Sequence, residues 1–300
     1  MSIEVSGLSY YPIKSCAGIS TDSLEVTETG FEYDRNWMVV DSYGNFMSQR
    51  KNPEMALIEP RILDSTLSVT APHMEEFSFP INWFAGIEPV VDVTVHKKPV
   101  KARSEGDEAA EWFSEFLKTD AKLVTLVPDL PRQITDRYHK DNGSNQVGFA
   151  DSFPFLMTSE ASLAELNAHL TEPVAMNRFR PNIVVSGSDL EAYDEDFWRE
   201  IRIGHMRAFV VRACDRCPVP DTNQTTGLRP DRPVTAALRE TRHGTDPSDP
   251  KNPQGNFFGQ NLNHVYDSKH PYYVFDEERI IELGDEIVII NRSDERNFIT

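Results

Sequence analysis

The stretch RFRPNIVVSG, Arg178–Gly187, places two arginines and an asparagine directly before an apolar run. The run Asn182–Ser186 predicts a short buried strand, because isoleucine and valine favour strands. An arginine at the start of a strand is usually solvated or salt-bridged. Two arginines beside an asparagine, however, present forked donors that suit a phosphate or another planar anion. The stretch therefore predicts a strand that begins either at a solvated edge or at an anion-binding site.

Short strands of this kind recur along the chain, and few helices separate them. The other β-rich runs are Leu24–Val26, Trp37–Val40, Val90–Val95, Lys122–Val127, Phe155–Met157, Glu200–Ile203, Arg207–Arg212, Arg279–Leu283 and Glu286–Ile290. Apolar spacing predicts helices at Asp107–Lys118 and at Glu160–Leu170, where Ser159 is a candidate N-cap. Many short strands with few helices favour a barrel-like fold, mainly β with α+β elements, over a doubly wound sheet.

The connections between these elements carry turn residues and charged residues. Asp41–Asn45 and Gly284–Asp285 predict hairpin turns. Gly244–Asn256 predicts an exposed loop, and the acidic run Asp194–Asp196 predicts a solvated turn. The polar stretch 128–148 predicts a boundary between an N-terminal domain, residues 1–130, and a C-terminal domain, residues 131–295.

The charge balance excludes several classes of partner. Acidic residues outnumber basic residues 48 to 30 in 300 residues, so the formal net charge is −18. Because an acidic surface repels the phosphate backbone, we expect no nucleic-acid partner. No apolar stretch approaches the roughly 18 residues of a membrane helix, and the first residues lack the pattern of a secretory signal. We therefore expect no membrane association.

The cysteine count predicts a reducing compartment. Cys16, Cys214 and Cys217 are the three cysteines of the chain, which is too few for a disulfide framework. A [2Fe–2S] cluster typically needs four cysteine ligands, so we also expect no iron–sulfur cluster. The lack of a disulfide framework favours a cytoplasmic location.

Two of the cysteines form the motif Cys214-Asp-Arg-Cys217, which admits several interpretations. A thioredoxin-like pair would open a helix, but prolines follow the motif. A zinc site needs two further ligands, and no histidine lies at finger spacing. Two buried structural thiols remain an alternative to one nucleophilic or metal-ligating thiolate. Arg216 and Arg212 would lower the pKa of such a thiol and favour the thiolate.

Other cations are weaker candidates for an anion site. Lys14-Ser15 follows an apolar segment, and Gln49-Arg50 follows a predicted hairpin strand. The sequence contains no phosphate-binding loop, dinucleotide fingerprint, zinc-protease motif or nucleophile elbow. Nucleotide-dependent and hydrolase chemistry of those kinds is therefore not supported.

Six segments taken in order resemble one family, the MOSC-domain molybdenum proteins. They are YPIKSC at Tyr11–Cys16, DRNWMVVD at Asp34–Asp41, TSEASLAELN at Thr158–Asn167, RFRPNIVVSG at Arg178–Gly187, CDRC at Cys214–Cys217 and FGQNL at Phe258–Leu262. The resemblance runs from about residue 8 to about residue 290. Within the family it is strongest to mitochondrial amidoxime-reducing components and to bacterial reductases of N-hydroxylated bases.

The resemblance implies an N-terminal MOSC-associated β-barrel domain and a C-terminal MOSC β-barrel domain, with the molybdenum cofactor (Mo-molybdopterin) between them. It implies that Cys217 is the protein ligand of the metal and takes part in catalysis; a thiolate is a soft ligand suited to such a metal. The positions implied to contact the cofactor are Lys14, Ser15, Arg50, Asp151, Ser152, Arg180, Asn182, Asp215, Arg216, Cys217 and Asn261.

The resemblance further implies an oxidoreductase that reduces hydroxylamines, amidoximes or N-hydroxylated bases to amines or amidines, a detoxifying reaction. Electrons would come from a separate donor protein of ferredoxin, flavin or cytochrome type. The charge of −18 predicts that this donor presents a basic face. Relatives often carry two threonines shortly after the cysteine, where this chain has Pro220 and Asp221. We treat Asp221 as a candidate proton donor.

Two other functions remain open at this stage. The chain is also similar to the MOSC domain at the end of cofactor sulfurases, so it could carry the cofactor or sulfur, with Cys217 as the reactive thiol. It could also be a catalytically inert β-barrel that only binds a ligand.

Overall fold

The computed structural model describes residues 2–81, 90–127, 130–141, 143–229, 232–251, 253–266 and 279–298. Strands predominate there, which confirms the mainly β prediction. The strands are β1 (Ile3–Tyr10), β2 (Ile13–Lys14), β3 (Ile19–Thr21), β4 (Ser23–Thr27), β5 (Gly30–Phe31), β6 (Trp37–Asp41), β7 (Glu59–Leu63), β8 (Thr66–Thr70), β9 (Phe77–Pro80), β10 (Val90–Val95), β11 (Lys98–Ser104), β12 (Ala121–Leu126), β13 (Arg132–Gln133), β14 (Gln146–Val147), β15 (Phe155–Ser159), β16 (Ile183–Ser186), β17 (Trp198–Ile203), β18 (Met206–Asp215), β19 (His243–Thr245), β20 (Gln254–His264), β21 (Ile280–Glu282) and β22 (Glu286–Arg292).

The described α-helices are α1 (Asp107–Leu117), α2 (Glu160–Ala168) and α3 (Pro233–Thr241). Short 3₁₀ turns lie at Pro53–Leu57, Asp136–Tyr138, Met176–Arg178, Asp194–Phe197 and Val219–Asp221. Within the described ranges, no helix is both long and apolar enough to cross a membrane.

Seven of the described strands close into a barrel. Their order is β15-β16-β1-β22-β17-β18-β20, and β20 pairs with β15 to complete the ring. The neighbours are antiparallel except β15 and β16, which run parallel with Met157 opposite Ile183. The interior packs buried side chains such as Phe155, Trp198 and Leu262. Closure pairs the strand edges that an open sheet would leave exposed.

The first strand of the chain belongs to this barrel. β1 pairs with β16 on one side and with β22 on the other. Leu24, Val26 and Phe31, which follow soon after, pack into the same core. Backbone pairing therefore joins residues from both sides of the boundary near residue 130, which stays a prediction.

A second sheet is ordered β10-β11-β12-β6-β2, and β7-β8-β9 form a separate meander, while β3 pairs with β1 and β4 lies between β5 and β21. One face of the second sheet packs against α1, whose Trp112 and Phe113 share a core with Trp37 and Leu123. Phe149 is buried in the core on the other face. This contact fixes the segment that follows Phe149 next to the second sheet.

Most predicted elements lie where the sequence indicates. Lys118, a left-handed residue, caps the C-terminus of α1, and Ser159 caps the N-terminus of α2, where its Oγ accepts the Ser162 N–H at 3.1 Å. The turn after β6 is also confirmed, since Gly44 N–H donates to the Asp41 carbonyl at 2.9 Å. α3 was not expected, because its apolar face is short and follows an irregular stretch.

Two predicted connections are wrong. β21 and β22 flank Gly284 but do not pair with each other, since β21 pairs with β4 while β22 pairs with β1 and β17. Gly244–Asn256 is not simply an exposed loop: its ends pair as β19 and β20, and Asp246 and Asp249 are buried. Both carboxylates contact Arg212, which offsets the cost of removing them from water.

The acidic run Asp194–Asp196 is not a solvated turn. Asp196 is buried, and its Oδ2 and Oδ1 accept from Arg242 Nη2 and Gln260 Nε2, each at 2.7 Å. Glu195 is also buried and accepts from the hydroxyl of Ser162 at 2.7 Å. These partners lie at least 33 positions away in sequence, so the local pattern could not reveal them.

We predict that Glu195 makes the stability depend on pH. Burial raises its pKa to about 7, although the hydrogen bond from Ser162 opposes the shift. The folded protein then keeps a proton that the unfolded chain loses near pH 4.5, so the free energy of unfolding falls as the pH rises from about 4.5 to about 7. The free energy of unfolding of Glu195→Gln, taken relative to wild type, should therefore increase by about 1–3 kcal/mol as the pH rises from 5 to 8. Urea unfolding at each pH measures this.

The exposed Glu172 provides the control for this measurement. Glu172→Gln should track the wild-type stability at every pH. A constant difference between Glu195→Gln and wild type across the range would contradict a buried proton on Glu195.

Candidate functional site

The barrel end at which β15 and β16 begin gathers the polar motifs. Leu156 of β15 lies opposite Asn261 of β20, and its carbonyl accepts the Asn182 N–H at 2.8 Å. β18 ends at the same edge with Cys214 and Asp215. The motifs that are far apart in sequence therefore meet at one end of the barrel.

A cavity of about 150 Å³, which we call the site cavity, lies at this end. Its walls include every residue predicted to contact the cofactor, namely Lys14, Ser15, Arg50, Asp151, Ser152, Arg180, Asn182, Asp215, Arg216, Cys217 and Asn261. An adjoining cavity of about 420 Å³ shares Arg50, Asp151, Cys217 and Asn261 as walls and adds His96, Lys98 and Arg132. Together the two cavities fall in the size range of small-molecule sites, roughly 300–1,000 Å³.

Tyr11 contacts two arginines that line the site cavity. The guanidinium carbons of Arg35 and Arg180 each lie 4.3 Å from the centre of its ring. The Tyr11 hydroxyl donates to the Pro181 carbonyl at 3.0 Å, which fixes the ring. An aromatic face attracts cations, so Tyr11 offsets part of the repulsion between the two guanidinium groups.

Arg35 connects the N-terminal half to the barrel. Its Nη1 contacts Asp34 Oδ2 at 2.5 Å and donates to Asn182 Oδ1 at 2.9 Å, while Nη2 donates to the Arg180 carbonyl at 3.2 Å. Asn182 Oδ1 also accepts the Leu156 N–H at 3.2 Å. The amide oxygen of Asn182 therefore links Arg35 to Leu156 of β15 at the cavity wall.

Three lining residues have left-handed backbone conformations. The φ angles are 69° at Ser15, 51° at Arg35 and 56° at Arg180. Non-glycine residues rarely adopt this region, and each instance costs on the order of 1–3 kcal/mol. Such residues concentrate where a binding site is held in a fixed geometry.

Lys14 and Asp151 form an ion pair at the cavity wall. The buried Lys14 ammonium contacts Asp151 Oδ1 and donates to the Phe149 carbonyl at 2.8 Å. Burial lowers the pKa of Lys14, and Asp151 opposes that shift. Burial also acts to raise the pKa of Asp151, but Lys14 and His96 outweigh it and hold this pKa well below its usual range. Asp151 is therefore a carboxylate at neutral pH.

Arg132 fixes the backbone of this segment. Its Nη1 donates to the carbonyls of Gly148 at 2.9 Å and Ala150 at 2.6 Å, and Nη2 donates to that of Asp151 at 3.4 Å. The fork of the guanidinium thus sets the position of Asp151 and Ser152 at the cavity.

The motif Cys214–Cys217 presents two different thiols. Arg216 Nη1 donates to Cys214 Sγ at 3.1 Å, and its Nη2 donates to the Phe179 carbonyl at 2.8 Å. Cys217 is half-buried, and burial raises the pKa of its thiol although the Val219 N–H and Arg216 act to lower it. The expected lowering of the thiol pKa is therefore wrong for Cys217. Arg212 contributes nothing, because it pairs with Asp246 and Asp249.

The FGQNL segment contains a glycine that its backbone geometry requires. Gly259 has a φ of 81°, and a Cβ at this position would lie 2.8 Å from the Met157 carbonyl oxygen. The close approach of β20 to β15 at this point sets Asn261 beside the cavity, where its Nδ2 donates to the Arg212 carbonyl at 3.4 Å.

The donor set fits an anionic group that carries a metal. Arg180 Nη2 and Arg216 Nε are buried and have no hydrogen-bond partner among the described residues. A buried donor without a partner costs free energy, which an anionic ligand would recover. In the described part of the chain, no three His, Cys, Asp or Glu side chains form a metal cluster. A metal carried on a cofactor needs few protein ligands, and the Cys217 thiol can supply one.

Two domain families match the chain. The MOSC N-terminal beta barrel domain matches residues 2–120, and the MOSC domain matches residues 144–288. The chain belongs to the MOSC family. Both matches confirm the fold class that the sequence motifs imply.

Curated proteins of this MOSC type share much of the sequence. Mitochondrial amidoxime-reducing component 1 of Mus musculus is 33% identical over 298 residues, which cover 96% of this chain and 82% of that protein. The Homo sapiens component 1 is 32% identical over 298 residues, 96% of this chain and 83% of that protein. Mitochondrial amidoxime reducing component 2 of Bos taurus is 36% identical over 230 residues, 75% of this chain and 68% of that protein.

Asp221 does not line the site cavity of this MOSC protein. Its Oδ1 accepts the N–H groups of Val234 at 2.9 Å and Thr235 at 3.0 Å, and the Thr235 hydroxyl donates to Oδ2. The carboxylate is therefore committed to the first turn of α3. Arg178 donates to the Asp221 carbonyl at 3.2 Å and supports the same turn, so the two arginines of RFRPN have different roles.

Several lining residues of the MOSC site were not singled out from the sequence. Arg35 had a usable signal, since it directly precedes the buried strand β6 just as Arg180 precedes β16. Arg132 lies in the polar stretch assigned to a domain boundary, where nothing marked it. His96 and Lys98 lie on a hairpin whose distance from the cysteines cannot be read from one sequence.

We predict that Asp221 stabilises α3. Asp221→Ala should lower the free energy of unfolding by about 1–2 kcal/mol and accelerate amide exchange at Val234 and Thr235, because three hydrogen bonds are lost. Asp221→Asn keeps an acceptor oxygen and should lose less. Chemical denaturation and hydrogen exchange test this, and wild-type exchange in Asp221→Ala would show that α3 does not depend on the carboxylate.

Proposed function

We propose that this MOSC protein reduces N-hydroxylated compounds, such as hydroxylamines, amidoximes or N-hydroxylated bases, with a molybdenum cofactor bound in the site cavity. Each turnover breaks one N–O bond, consumes two electrons and two protons, and yields the amine or amidine and water. Relatives named for amidoxime reduction, which match nearly the whole chain, support the reaction class. The association of the MOSC family with the molybdenum cofactor supports the cofactor.

The observation that carries the proposal is the concentration of cations around one thiol. In a chain of charge −18, the site cavity is lined by the cations Lys14, Arg35, Arg50, Arg180 and Arg216. Its lining acids are Asp151 and Asp215, and the first of these is paired with Lys14. A local excess of cations in an acidic protein is what an anionic pterin phosphate needs.

The side chains of this protein bind and orient the cofactor. Cys217 would hold the metal through its sulfur, and Arg180 and Arg216 would donate their unpaired N–H groups to anionic oxygens. When bound, the molybdenum cofactor supplies the two-electron redox chemistry. Phe153, Phe155 and Phe179 line the cavity and limit access of water, which strengthens the charge interactions inside it.

A cofactor or sulfur carrier is the alternative function. Such a carrier needs an accessible thiolate, because the thiolate is the nucleophile. Cys217 is half-buried, and burial raises the pKa of its thiol. A metal ligand is also a thiolate, so this pKa shift does not separate the two functions, and the turnover assay distinguishes them.

A dye-driven assay tests the proposed function. Protein produced in a host that makes the cofactor should oxidise reduced methyl viologen when benzamidoxime or N-hydroxycytosine is added, with two dye molecules consumed per substrate. The chain contains three cysteines and no dinucleotide fingerprint, so NADH alone should give no turnover. Molybdenum that is reduced by dye but never reoxidised by any N-hydroxylated substrate would favour the carrier.

We predict that the two thiols of the motif differ in their effect on the metal. Cys217→Ser should lose bound molybdenum and activity because it removes the ligand. Cys214→Ser should keep molybdenum, since the Cys214 sulfur is engaged by Arg216. Elemental analysis of the purified variants measures this. Metal loss in Cys214→Ser with retention in Cys217→Ser would reverse the assignment, and stoichiometric zinc on both thiols would refute it.

We predict that Arg180 retains the cofactor. Arg180→Ala removes a charge-assisted contact worth roughly 1.5–3 kcal/mol, so pterin and molybdenum content should fall at least about tenfold in competition with wild type. Arg178→Ala is a poor control, because Arg178 supports the turn at Asp221. Arg239→Ala on the exposed side of α3 is the better one and should retain the cofactor. Equal retention in both variants would make Arg180 a structural residue.

A further inference from the structure

A basic run forms a hairpin in this acidic protein. Residues 96–103 read HKKPVKAR and contain Lys97, Lys98, Lys101 and Arg103 without an acidic residue, although the chain has 48 acids in 300 residues. The run forms the tip and the second strand of the β10–β11 hairpin. His96 and Lys97 adopt left-handed backbone conformations at the tip.

The hairpin tip borders the adjoining cavity. His96 Nε2 lies 2.8 Å from Asp151 Oδ1, and His96 and Lys98 line the cavity that also contains Cys217. Lys97 and Lys101 are exposed, and Lys101 contacts Asp92 across the hairpin at 2.8 Å. The lysines therefore face solvent beside the entrance rather than the interior of the site.

An exposed aromatic side chain lies on the neighbouring turn. Tyr43 is 88% exposed and belongs to the turn after β6. This turn pairs with β10, since Asn45 bridges Thr94 and the Thr94 N–H donates to the Gly44 carbonyl at 2.8 Å. Exposed tyrosines are typical of protein interfaces, where tyrosine is enriched, and lysines beside such a tyrosine can steer an acidic partner to it.

We propose that Tyr43, Lys97 and Lys101, here named the hairpin face, dock the electron-donor protein, and that this donor presents an acidic surface. The inference rests on the proposed reductase function. Two reduced one-electron carriers would dock in turn for each N–O bond broken. Each gives up one electron, and two protons come from solvent.

Local charge, and not net charge, supports this partner. The charge of −18 predicts a basic donor, but salt screens charges beyond roughly 8 Å, so contact is decided by nearby residues. Arg132 lies at the entrance with its hydrogen bonds on carbonyl oxygens, but the Asp151 carboxylate acts on its charge, so the exposed lysines supply the basic surface. A small substrate inside the cavity would not reach Lys97 or Lys101 on the outside of the hairpin. A macromolecule with acidic groups would reach both.

Matched double variants test the hairpin face. Lys97→Asn with Lys101→Thr removes one lysine in a left-handed turn and one on a strand. Lys118→Asn with Lys122→Thr removes the same two kinds of lysine and the same total charge. The register Ala102–Leu126 places Lys122 at the end of the sheet opposite the hairpin tip. Asparagine tolerates the left-handed conformation, so both pairs should fold.

The donors are an acidic [2Fe–2S] ferredoxin and, as a reference, methyl viologen. With reduced ferredoxin, the hairpin variant should lose at least about threefold in second-order rate constant at low salt and show a weaker salt dependence. The control pair should stay within about twofold of wild type. Oxidised ferredoxin should also bind the cofactor-free hairpin variant more weakly than it binds the cofactor-free control pair or wild type. Rates with methyl viologen should not change in either double variant. Tyr43→Ala should weaken ferredoxin binding at every salt concentration.

Each outcome decides a different question. Equal losses in both double variants would show that the rate depends only on net charge, which would contradict docking at the hairpin face. Wild-type kinetics and binding in the hairpin variant would also overturn it. Loss of binding to phosphatidylserine vesicles with unchanged ferredoxin kinetics would assign the face to a membrane surface instead. Absence of turnover with methyl viologen in wild type would refute the proposed reductase function. Ferredoxin binding to the cofactor-free chain would still test the hairpin face in that case.

Discussion

The position of β1 between β16 and β22 holds the two halves of the chain together. Because β1 completes the barrel, the chain leaves it next to the point where β15 and β16 begin. Tyr11 and Lys14 then contact Arg180 and Asp151 from the second half. Arg35 adds hydrogen bonds across the same junction. The cavity exists because one closed sheet fixes segments that are more than 100 residues apart.

The arrangement of cations at the cavity is electrostatically unfavourable. Arg35 and Arg180 both contact the Tyr11 ring, and burial lowers the pKa of Arg180 to about 10. Both guanidinium groups are charged at neutral pH and repel each other, and Arg180 Nη2 has no hydrogen-bond partner in the described structure. An anion would remove both costs, so a ligand that binds only the folded state should also stabilise it.

Local motifs carried most of what the sequence could predict. The helix at Ser159, the strand after Arg180 and the turn after β6 depend on neighbouring residues, and each is confirmed. Every residue implied to contact the cofactor lines one cavity, because the closed barrel brings the motifs together at one of its ends.

The remaining features depend on partners that are distant in sequence. No residue near Asp196 in the sequence indicates its hydrogen bond from Arg242. Likewise, no residue near Asp221 indicates that its carboxylate accepts from the first turn of α3. The acidic run Asp194–Asp196 was expected to be solvated because acidic residues are usually exposed. Its buried carboxylates are stabilised by those distant partners, which the sequence does not indicate. The partner of β21 is likewise β4, which no turn signal beside Gly284 could indicate.

The insertion of β1 into the barrel also bears on how the chain folds during synthesis. β2, β6, β10, β11 and β12 can pair as soon as about the first 130 residues have left the ribosome. β1 must wait for β16 and β22, which follow it by more than 170 and 280 residues. Contacts of such long range slow folding, and an unpaired edge invites aggregation while it waits. β1 can pair early with β3, but it finds its partners in the barrel only when the C-terminal half of the chain has been made.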